Sequence, residues 1–118
     1  MLCGQALVAT LAEVTLQKAC DVIGHERGTT WAQLRDALRR LDVLAADCLV
    51  RVARYVDLPM FCIVRLYWNK EESHWLLRHD EVVYDPSFGM VDALRLPFGK
   101  APFQRITSYG RIGYAASN

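Results

Sequence analysis

The segment MFCIVRLYW, residues 60–68, decides the fold, because Arg65 is its one charged residue among apolar and aromatic neighbours. Side chains that are β-branched or aromatic favour strands, and an apolar run without polar alternation is typical of a strand buried on both faces. The run is far shorter than the roughly 20 residues that a membrane-spanning helix needs. The segment therefore predicts the central strand of a sheet.

Three short helices are predicted ahead of this strand. Apolar residues recur at helical spacing from about 3 to 12, which indicates a first helix with one buried face. A second helix is expected between Thr15, which can cap its start, and Gly24, which stops it. Thr30 and Gln33 then form the capping-box pair of a third helix.

Strands are predicted through the rest of the chain. Besides the central strand, they are expected at 48–52, 74–78, 82–85 and 105–114. Residues 79–81 are predicted to turn a hairpin, whereas 86–102 carries Gly and Pro at intervals and has no assigned structure. Helices first and strands second predict an α+β fold, in which N-terminal helices pack on a C-terminal antiparallel β-sheet. The length of 118 residues fits a single domain, 1–118.

The charge balance argues against some classes of partner. With 14 basic and 13 acidic residues the net charge is +1, so we expect neither nucleic acid nor a membrane surface as a partner. Met1 is not followed by a basic region and a long apolar segment, which argues against a secretory signal. A cytoplasmic, reducing compartment is therefore expected.

Four cysteines are present, without the spacing of a metal site. There is no CxxC pair and the histidines lie far from any cysteine cluster, so we expect no metal and no cofactor. Cys20 falls in an apolar helical stripe and Cys62 in the central strand, where a free cysteine acts as a small core residue. Cys48, at the start of a predicted strand, is expected to do the same.

Cys3 differs from the other cysteines because it opens the first predicted helix. A thiol at a helix N-terminus lies at the positive end of the helix dipole, where the thiolate is favoured and the pKa falls. Cys3 is thus a candidate nucleophile, provided that a histidine and a carboxylate come within reach. For a cysteine considered alone, an inert buried side chain is the alternative interpretation.

The predicted hairpin contains both missing groups. A turn centred on His79 and Asp80 pairs His74 directly with Asp85, and a longer or shifted turn moves the partner by one or two positions. Directly opposed side chains on one face have Cβ atoms about 5 Å apart, close enough for a carboxylate to bond an imidazole. The hairpin can therefore present an oriented base to a nucleophile. Considered singly, His74 also fits a strand-edge residue and Asp85 a turn opener.

Six short motifs follow one another along the chain. They are Cys3-Gly4-Gln5-Ala6, Val14-Thr15, Gly28-Thr29-Thr30, Ala37-Leu38-Arg39, His74-Trp75 and Val83-Tyr84-Asp85-Pro86. In their order and spacing they resemble the papain-like peptidases related to the bacteriocin-processing (double-glycine) peptidases. No single motif is specific, so the resemblance depends on the whole set. It covers about residues 2–87, and the segment after Ser87 has no counterpart in it.

The resemblance implies a papain-like fold with a Cys-His-Asp triad. Cys3 would be the nucleophile, His74 the general base and then acid, and Asp85 the group that holds the imidazole tautomer. The enzyme would cleave a peptide or protein substrate at a peptide or amide bond, through an acyl-enzyme. Members of the family carry an oxyanion glutamine upstream of the cysteine, where two residues stand here. Gln5, downstream on the helix, is the candidate oxyanion or cleft residue, with an ordinary helix-surface position as the alternative.

A second class of function stays open. The short chain, the absent upstream glutamine and the unassigned segment after Ser87 also fit a catalytically inactive papain-like scaffold. Such a scaffold would bind another protein, for instance as an inhibitor or adaptor encoded by a phage or another mobile element. The oligomeric state is open too, because aromatic residues at Phe98, Phe103 and Tyr109 fit an interface as well as a core.

Overall fold

The structure is a computed structural model that describes residues 2–67, 73–86, 89–92 and 105–115. In these residues, three helices precede seven strands. This order confirms the predicted α+β class. No helix in this part of the chain has the length and apolar character that a membrane crossing requires. The helices are α1 (Cys3–Ala12), α2 (Leu16–Ile23) and α3 (Trp31–Arg40), with a 3-10 turn at Tyr55–Asp57. The strands are β1 (Val43–Ala45), β2 (Val50–Arg51), β3 (Phe61–Tyr67), β4 (Ser73–His79), β5 (Val82–Asp85), β6 (Gly89–Asp92) and β7 (Arg105–Tyr114).

The second helix begins and ends at its predicted capping residues, and the third helix begins at its predicted capping box. The Thr15 side chain accepts a hydrogen bond from the Lys18 amide at the start of α2. Gly24 ends that helix in the left-handed conformation, with φ at 96°. At the start of α3, Thr30 and Gln33 form the predicted capping box, because each side chain bonds the other residue's backbone amide.

The strands form an antiparallel sheet with β3 near its centre. The strand order is β1-β7-β3-β4-β5-β6, and β2 pairs with β7 beside β1. β3 is therefore flanked by β7 and β4. Ile63 packs among the residues of the helices, whereas Cys62 and Val64 are buried on the opposite face of the sheet. The predicted central strand, buried on both faces, is confirmed.

The predicted strand at 48–52 is wrong in its extent. The structure has Val50–Arg51 as β2, places Cys48 exposed in a bend, and adds β1 at Val43–Ala45. The cause is that β1 and β2 lie one after the other along the same edge of β7, so the chain leaves the sheet between them. Cys48 lies in that excursion and is not a core residue, whereas Cys20 and Cys62 are buried as predicted.

The hairpin of β4 and β5 forms as predicted, but its register is shifted by two residues. His79 pairs with Val82, so the turn consists of residues 80 and 81, with Asp80 left-handed at φ 53°. Aspartate tolerates this conformation, which tight hairpin turns require. The prediction that His74 lies directly opposite Asp85 is therefore wrong. The two residues are diagonal neighbours on one face of the hairpin.

The segment 86–102, to which the sequence assigns no structure, contains β6, which pairs with β5 and extends the sheet. Residues 93–104 lie outside the described residues, and with them Phe98 and Phe103 of the predicted aromatic group. Tyr109 of that group is partly buried and packs against the apolar cluster on the face away from the helices.

Trp31 fixes α3 to the sheet at Gly110. Its ring covers this β7 glycine so closely that a Cβ at position 110 would overlap the ring. The indole N–H of Trp31 donates to the Ala46 carbonyl at 3.1 Å, which sets the orientation of the ring. The contact therefore requires a residue without a side chain at position 110.

We expect Gly110→Ala to destabilise the protein, because the new methyl group would displace the Trp31 ring. Overpacking of this kind lowers the free energy of unfolding by about 1–3 kcal/mol. The matched control is Gly113→Ala in the same strand, where a Cβ would meet no atom within 4 Å. Urea denaturation followed by tryptophan fluorescence measures both variants. Equal midpoints for the two would contradict the proposed role of the Trp31 contact.

Candidate active site

Cys3 occupies the first helical position of α1. Leu2 precedes it as the N-cap without a side-chain cap, and the Ala6 amide donates to the Leu2 carbonyl. The amides of residues 3–5 therefore have no partner within the helix, and they give this end of α1 a partial positive charge. A thiol at this position lies where negative charge is stabilised.

Gly4 lets α1 approach the loop that precedes α3. A Cβ at position 4 would overlap the Thr29 hydroxyl and lie 2.9 Å from a Leu34 methyl group. Any residue with a side chain would therefore push the helix away from the loop. Because Gly4 follows Cys3 directly, this contact also sets the position of the Cys3 thiol.

Cys3, His74 and Asp85 come together from α1, β4 and β5 at one end of the sheet. His74 Nε2 lies 2.8 Å from Asp85 Oδ1, and the two residues are only 3% and 5% exposed. The imidazole is also close enough to the Cys3 thiol for each group to shift the pKa of the other. Because Nε2 is bound to the carboxylate, we assign Nδ1 to the sulfur. The structure thus brings together the three residues that the sequence analysis selects.

The surroundings favour charge on both members of the Cys3-His74 pair. Burial raises the pKa of the Cys3 thiol, but hydrogen bonds with His74 and with the Trp75 and Gly4 amides outweigh it and hold the pKa below its ordinary value of 9.0. Burial lowers the pKa of His74, but hydrogen bonds with Asp85 and Cys3 outweigh it and raise the pKa to about 9. Both shifts favour the thiolate-imidazolium form of the pair over the neutral thiol and imidazole.

These groups have the elements of nucleophilic catalysis. A thiolate is the reactive form of cysteine, an imidazolium can donate a proton to a leaving group, and a buried carboxylate fixes the ring. The Trp75 amide, which helps to lower the pKa of the Cys3 thiol, belongs to the residue after His74, so β4 helps to position both His74 and Cys3. Across the described ranges, no cluster of three or more His, Cys, Asp or Glu side chains has the geometry of a metal site.

Gln5 is placed differently from the predicted oxyanion or surface position. It is fully buried, and its Nε2 donates to the His25 carbonyl at 3.0 Å and to the Arg27 carbonyl at 2.8 Å. A glutamine amide has two N–H hydrogens, so both are engaged and neither points to an oxyanion. This geometry does not support the role drawn from the sequence. Gln5 instead anchors the loop between α2 and α3 to α1.

Trp75 belongs to the site although the sequence analysis did not select it. It is almost fully buried, and its indole N–H donates to the Thr29 carbonyl at 3.2 Å. Trp75 therefore ties β4 to the same loop that Gly4 contacts, while its backbone amide reaches the Cys3 sulfur. The one sequence signal for a place of Trp75 in the site is its position next to His74. Its contact with the Cys3 sulfur is made by the backbone amide, which every residue type except proline has, so no residue pattern predicts it.

Comparison with known proteins identifies no relative, so the geometry of the site is the basis on which a function can be proposed. No protein-family model matches the chain, and no curated protein matches it.

We expect Asp85→Asn to lower the pKa of His74 from about 9 toward its ordinary value of 6.5, because the carboxylate that favours the imidazolium is lost. NMR titration of the imidazole ring protons measures this pKa. The matched control is Asp80→Asn at the exposed turn of the same hairpin, which should leave the pKa of His74 unchanged. A His74 pKa that stays near 9 in Asp85→Asn would show that the carboxylate is not its main partner.

Proposed function

We propose that the protein is a cysteine hydrolase that cleaves a peptide or amide bond through an acyl-enzyme. The observation that supports this most directly is that His74 interacts with both other groups, with Asp85 through a 2.8 Å hydrogen bond and with the Cys3 thiol closely enough to shift the pKa of each. Acyl transfer by a thiol needs a nucleophile, a group that moves protons and a group that orients it. The three side chains match these needs in type, order and contact.

In the first half of the proposed reaction, the Cys3 thiolate attacks the carbonyl carbon of the scissile bond, and an electron pair moves to the carbonyl oxygen. Amides in the first turn of α1 lie in the region of partial positive charge and are the natural donors to this oxyanion. His74 then gives its proton to the leaving nitrogen as the C–N bond breaks. The products of this step are a thioester, a free amine and a neutral imidazole.

In the second half, a water molecule attacks the thioester carbonyl. His74 takes a proton from the water, the C–S bond breaks, and the acid product leaves with the thiolate-imidazolium pair restored. Asp85 stays bonded to Nε2 throughout, so the imidazole keeps the same nitrogen toward the sulfur. The carboxylate thus orients the ring and stabilises its positive charge without taking the proton.

We also propose that the fold is papain-like. The nucleophile begins a helix, and the base and its carboxylate lie on the antiparallel sheet against which that helix packs. This arrangement agrees with the resemblance to the bacteriocin-processing peptidases. A peptide or protein substrate follows from that resemblance. The four free cysteines are consistent with a reducing, cytoplasmic compartment.

A catalytically inactive binding scaffold is the second candidate, and one observation favours it. Cys3 is 7% exposed and His74 is 3% exposed, so little of either side chain is open to a substrate. A pair that serves only to hold α1 against β4 would make the same hydrogen bonds. The two candidates differ in whether the sulfur reacts.

We expect Cys3 to react with iodoacetamide at neutral pH faster than Cys48, although Cys48 is exposed and Cys3 is buried. The reason is that the thiolate is the nucleophile and the surroundings of Cys3 lower its pKa. In His74→Ala the reaction of Cys3 should slow by about tenfold or more, because the largest interaction that opposes burial is lost. Peptide mass mapping over time measures each rate.

Buried Cys20 and Cys62 are the internal controls for this labelling, since neither has a histidine partner among the described contacts. Labelling of Cys3 no faster than that of Cys20, in protein that remains folded, would refute the hydrolase and leave the scaffold.

We expect cleavage of a fluorescence-quenched peptide library to depend on pH in a bell shape. The rate should rise as Cys3 loses its proton at a pKa below 9.0. It should fall as His74 loses its proton at about pH 9, because a neutral imidazole cannot protonate the leaving nitrogen. Cys3→Ala should abolish cleavage, and Asp85→Asn should move the alkaline limb to lower pH. A wild-type cleavage rate that keeps rising well above pH 9 would refute the proposed role of His74 as the proton donor.

A further inference from the structure

A pocket of about 390 Å³ opens on the helix-facing side of the sheet, at the end of α1 and β4 that lies away from Cys3 and His74. Most of its lining is aromatic or apolar, and it comes from Leu11, Phe61, Leu77, Val82, Tyr84 and Tyr114. The Phe61 ring contacts the rings of His79 and Tyr114, at centroid distances of 5.0 and 5.9 Å. We call this cavity the aromatic pocket. A concave apolar lining with few polar groups is typical of a binding site.

Tyr114 separates the aromatic pocket from a second pocket of about 420 Å³, since Tyr114 and Leu11 line both. The side chain is fixed at two points, because its hydroxyl donates to the Leu11 carbonyl at 2.7 Å and its ring packs against Phe61. Tyr114 is nevertheless 56% exposed. A rigid, exposed aromatic ring loses little conformational entropy when a partner binds, and such residues often dominate the energy of an interface. We call the two pockets together the Tyr114 groove.

The second pocket of the groove is acidic. Glu13 and Asp42 line it, and both residues are exposed. Within the described residues, neither carboxylate has an ion-pair or hydrogen-bond partner. The pocket also lies where α1 and α3 end, and the C-terminal end of a helix carries a partial negative charge. Burial and, after it, the charge of Glu13 raise the pKa of the Tyr114 phenol, which agrees with a carboxylate close to this ring.

The lining of the groove does not neutralise this charge. Among the described residues that line either pocket there is no Lys or Arg. Arg39 in the last turn of α3 is bound to the Ala45 carbonyl and to Asp47. Arg40 is exposed and does not line the acidic pocket. The groove therefore has an apolar half and an acidic half, and its complement is a ligand with an apolar group beside a cation.

The Tyr114 groove is separate from the candidate active site. Leu11 lies eight residues after Cys3 in α1, which corresponds to about 12 Å along the helix. His79 lies five residues after His74 in β4, which corresponds to about 17 Å along the strand. A short segment bound in the groove would therefore not contact the Cys3 sulfur. Binding there is compatible with the hydrolase and with the binding scaffold alike.

We propose that the Tyr114 groove docks a segment of another protein in which a large apolar side chain lies two residues from a Lys or Arg. The apolar side chain enters the aromatic pocket, and the cation lies against Glu13 and Asp42 on the other side of the Tyr114 ring. Side chains two residues apart on an extended peptide point the same way and lie about 6.6 Å apart, which is enough to reach both sides of one ring. A second copy of this chain fits less well, because a symmetric pair presents the same surface on both sides and brings no basic lining residue to the carboxylates.

Titration of the wild-type protein with a blocked peptide, acetyl-Gly-Phe-Gly-Lys-Gly-amide, tests the docking, while NMR follows the backbone amides of Glu13, Asp42 and Val82. We expect the peptide to shift amides of both pockets. A peptide with Glu in place of the Lys should bind about fivefold more weakly or worse, because the favourable charge interaction becomes a repulsion. A peptide with Ala in place of the Phe should bind about tenfold more weakly, because the apolar side chain no longer fills the aromatic pocket.

A double variant, Glu13→Gln with Asp42→Asn, removes both charges from the groove with little change in shape. Asparagine tolerates the left-handed backbone of Asp42, whose φ is 65°, so the fold should be kept. This variant should bind the Lys and Glu peptides equally well. The matched control is Asp21→Asn with Glu26→Gln, which removes two charges from exposed residues outside the groove and should keep the wild-type preference.

Several outcomes would overturn the docking. They are no binding at millimolar peptide, equal binding of the Lys and Glu peptides by the wild-type protein, and equal binding of the Phe and Ala peptides. A preference that the groove variant keeps would do the same, and so would one that the control variant loses as strongly, since the effect would then be one of net charge. Phenethylamine that binds as tightly as the Lys peptide would indicate a small-molecule site instead. Shifts of the groove amides that depend on protein concentration, without peptide, would indicate a second copy of the chain.

Discussion

The hydrogen bond between His74 and Asp85 is the interaction on which the candidate site depends. Neither the imidazole nor the carboxylate is open to water, so each would bear an uncompensated cost of desolvation without the other. Together they form a charged pair that the interior tolerates. The same bond restricts the ring to one orientation, and that orientation presents a proton to the Cys3 sulfur. The lowered pKa of the Cys3 thiol is in this sense a consequence of how a buried charge is accommodated.

A second constraint is the loop at residues 25–30, to which both halves of the site are attached. Gly4 contacts this loop because it has no side chain, and Gln5 bonds it through two amide hydrogens. Trp75 reaches the same loop from β4 through its indole N–H. The helix that bears Cys3 and the strand that bears His74 are thus both fixed to this loop. This arrangement explains why a buried glutamine so close to Cys3 faces away from it.

The parts of the fold that the sequence predicts are those that local interactions determine. Capping at Thr15 and Thr30 involves residues three positions apart, and the run at 60–68 carries its own strand pattern. The predicted hairpin register is wrong because the left-handed conformation of Asp80 selects a two-residue turn at 80–81, and amino-acid composition does not specify which residues turn. The loop contacts of Gln5 and the exposure of Cys48 depend on partners distant in sequence, which no local pattern encodes. The meeting of Cys3, His74 and Asp85 was predicted from the helix that begins at Cys3, from the hairpin that carries the other two, and from the resemblance to a known set of motifs.

The strand β7 is needed to complete the sheet and is synthesised after the strands with which it pairs. It follows every other described element along the chain, yet it pairs with β1 and β2 on one edge and with β3 on the other. Contacts between residues so far apart in sequence slow folding, and they leave apolar surface exposed on a growing polypeptide. On the ribosome, Cys3 in α1 is therefore synthesised well before β7, the strand that completes the sheet around its partner. Synthesis of this thiol and assembly of its finished environment are separated in time.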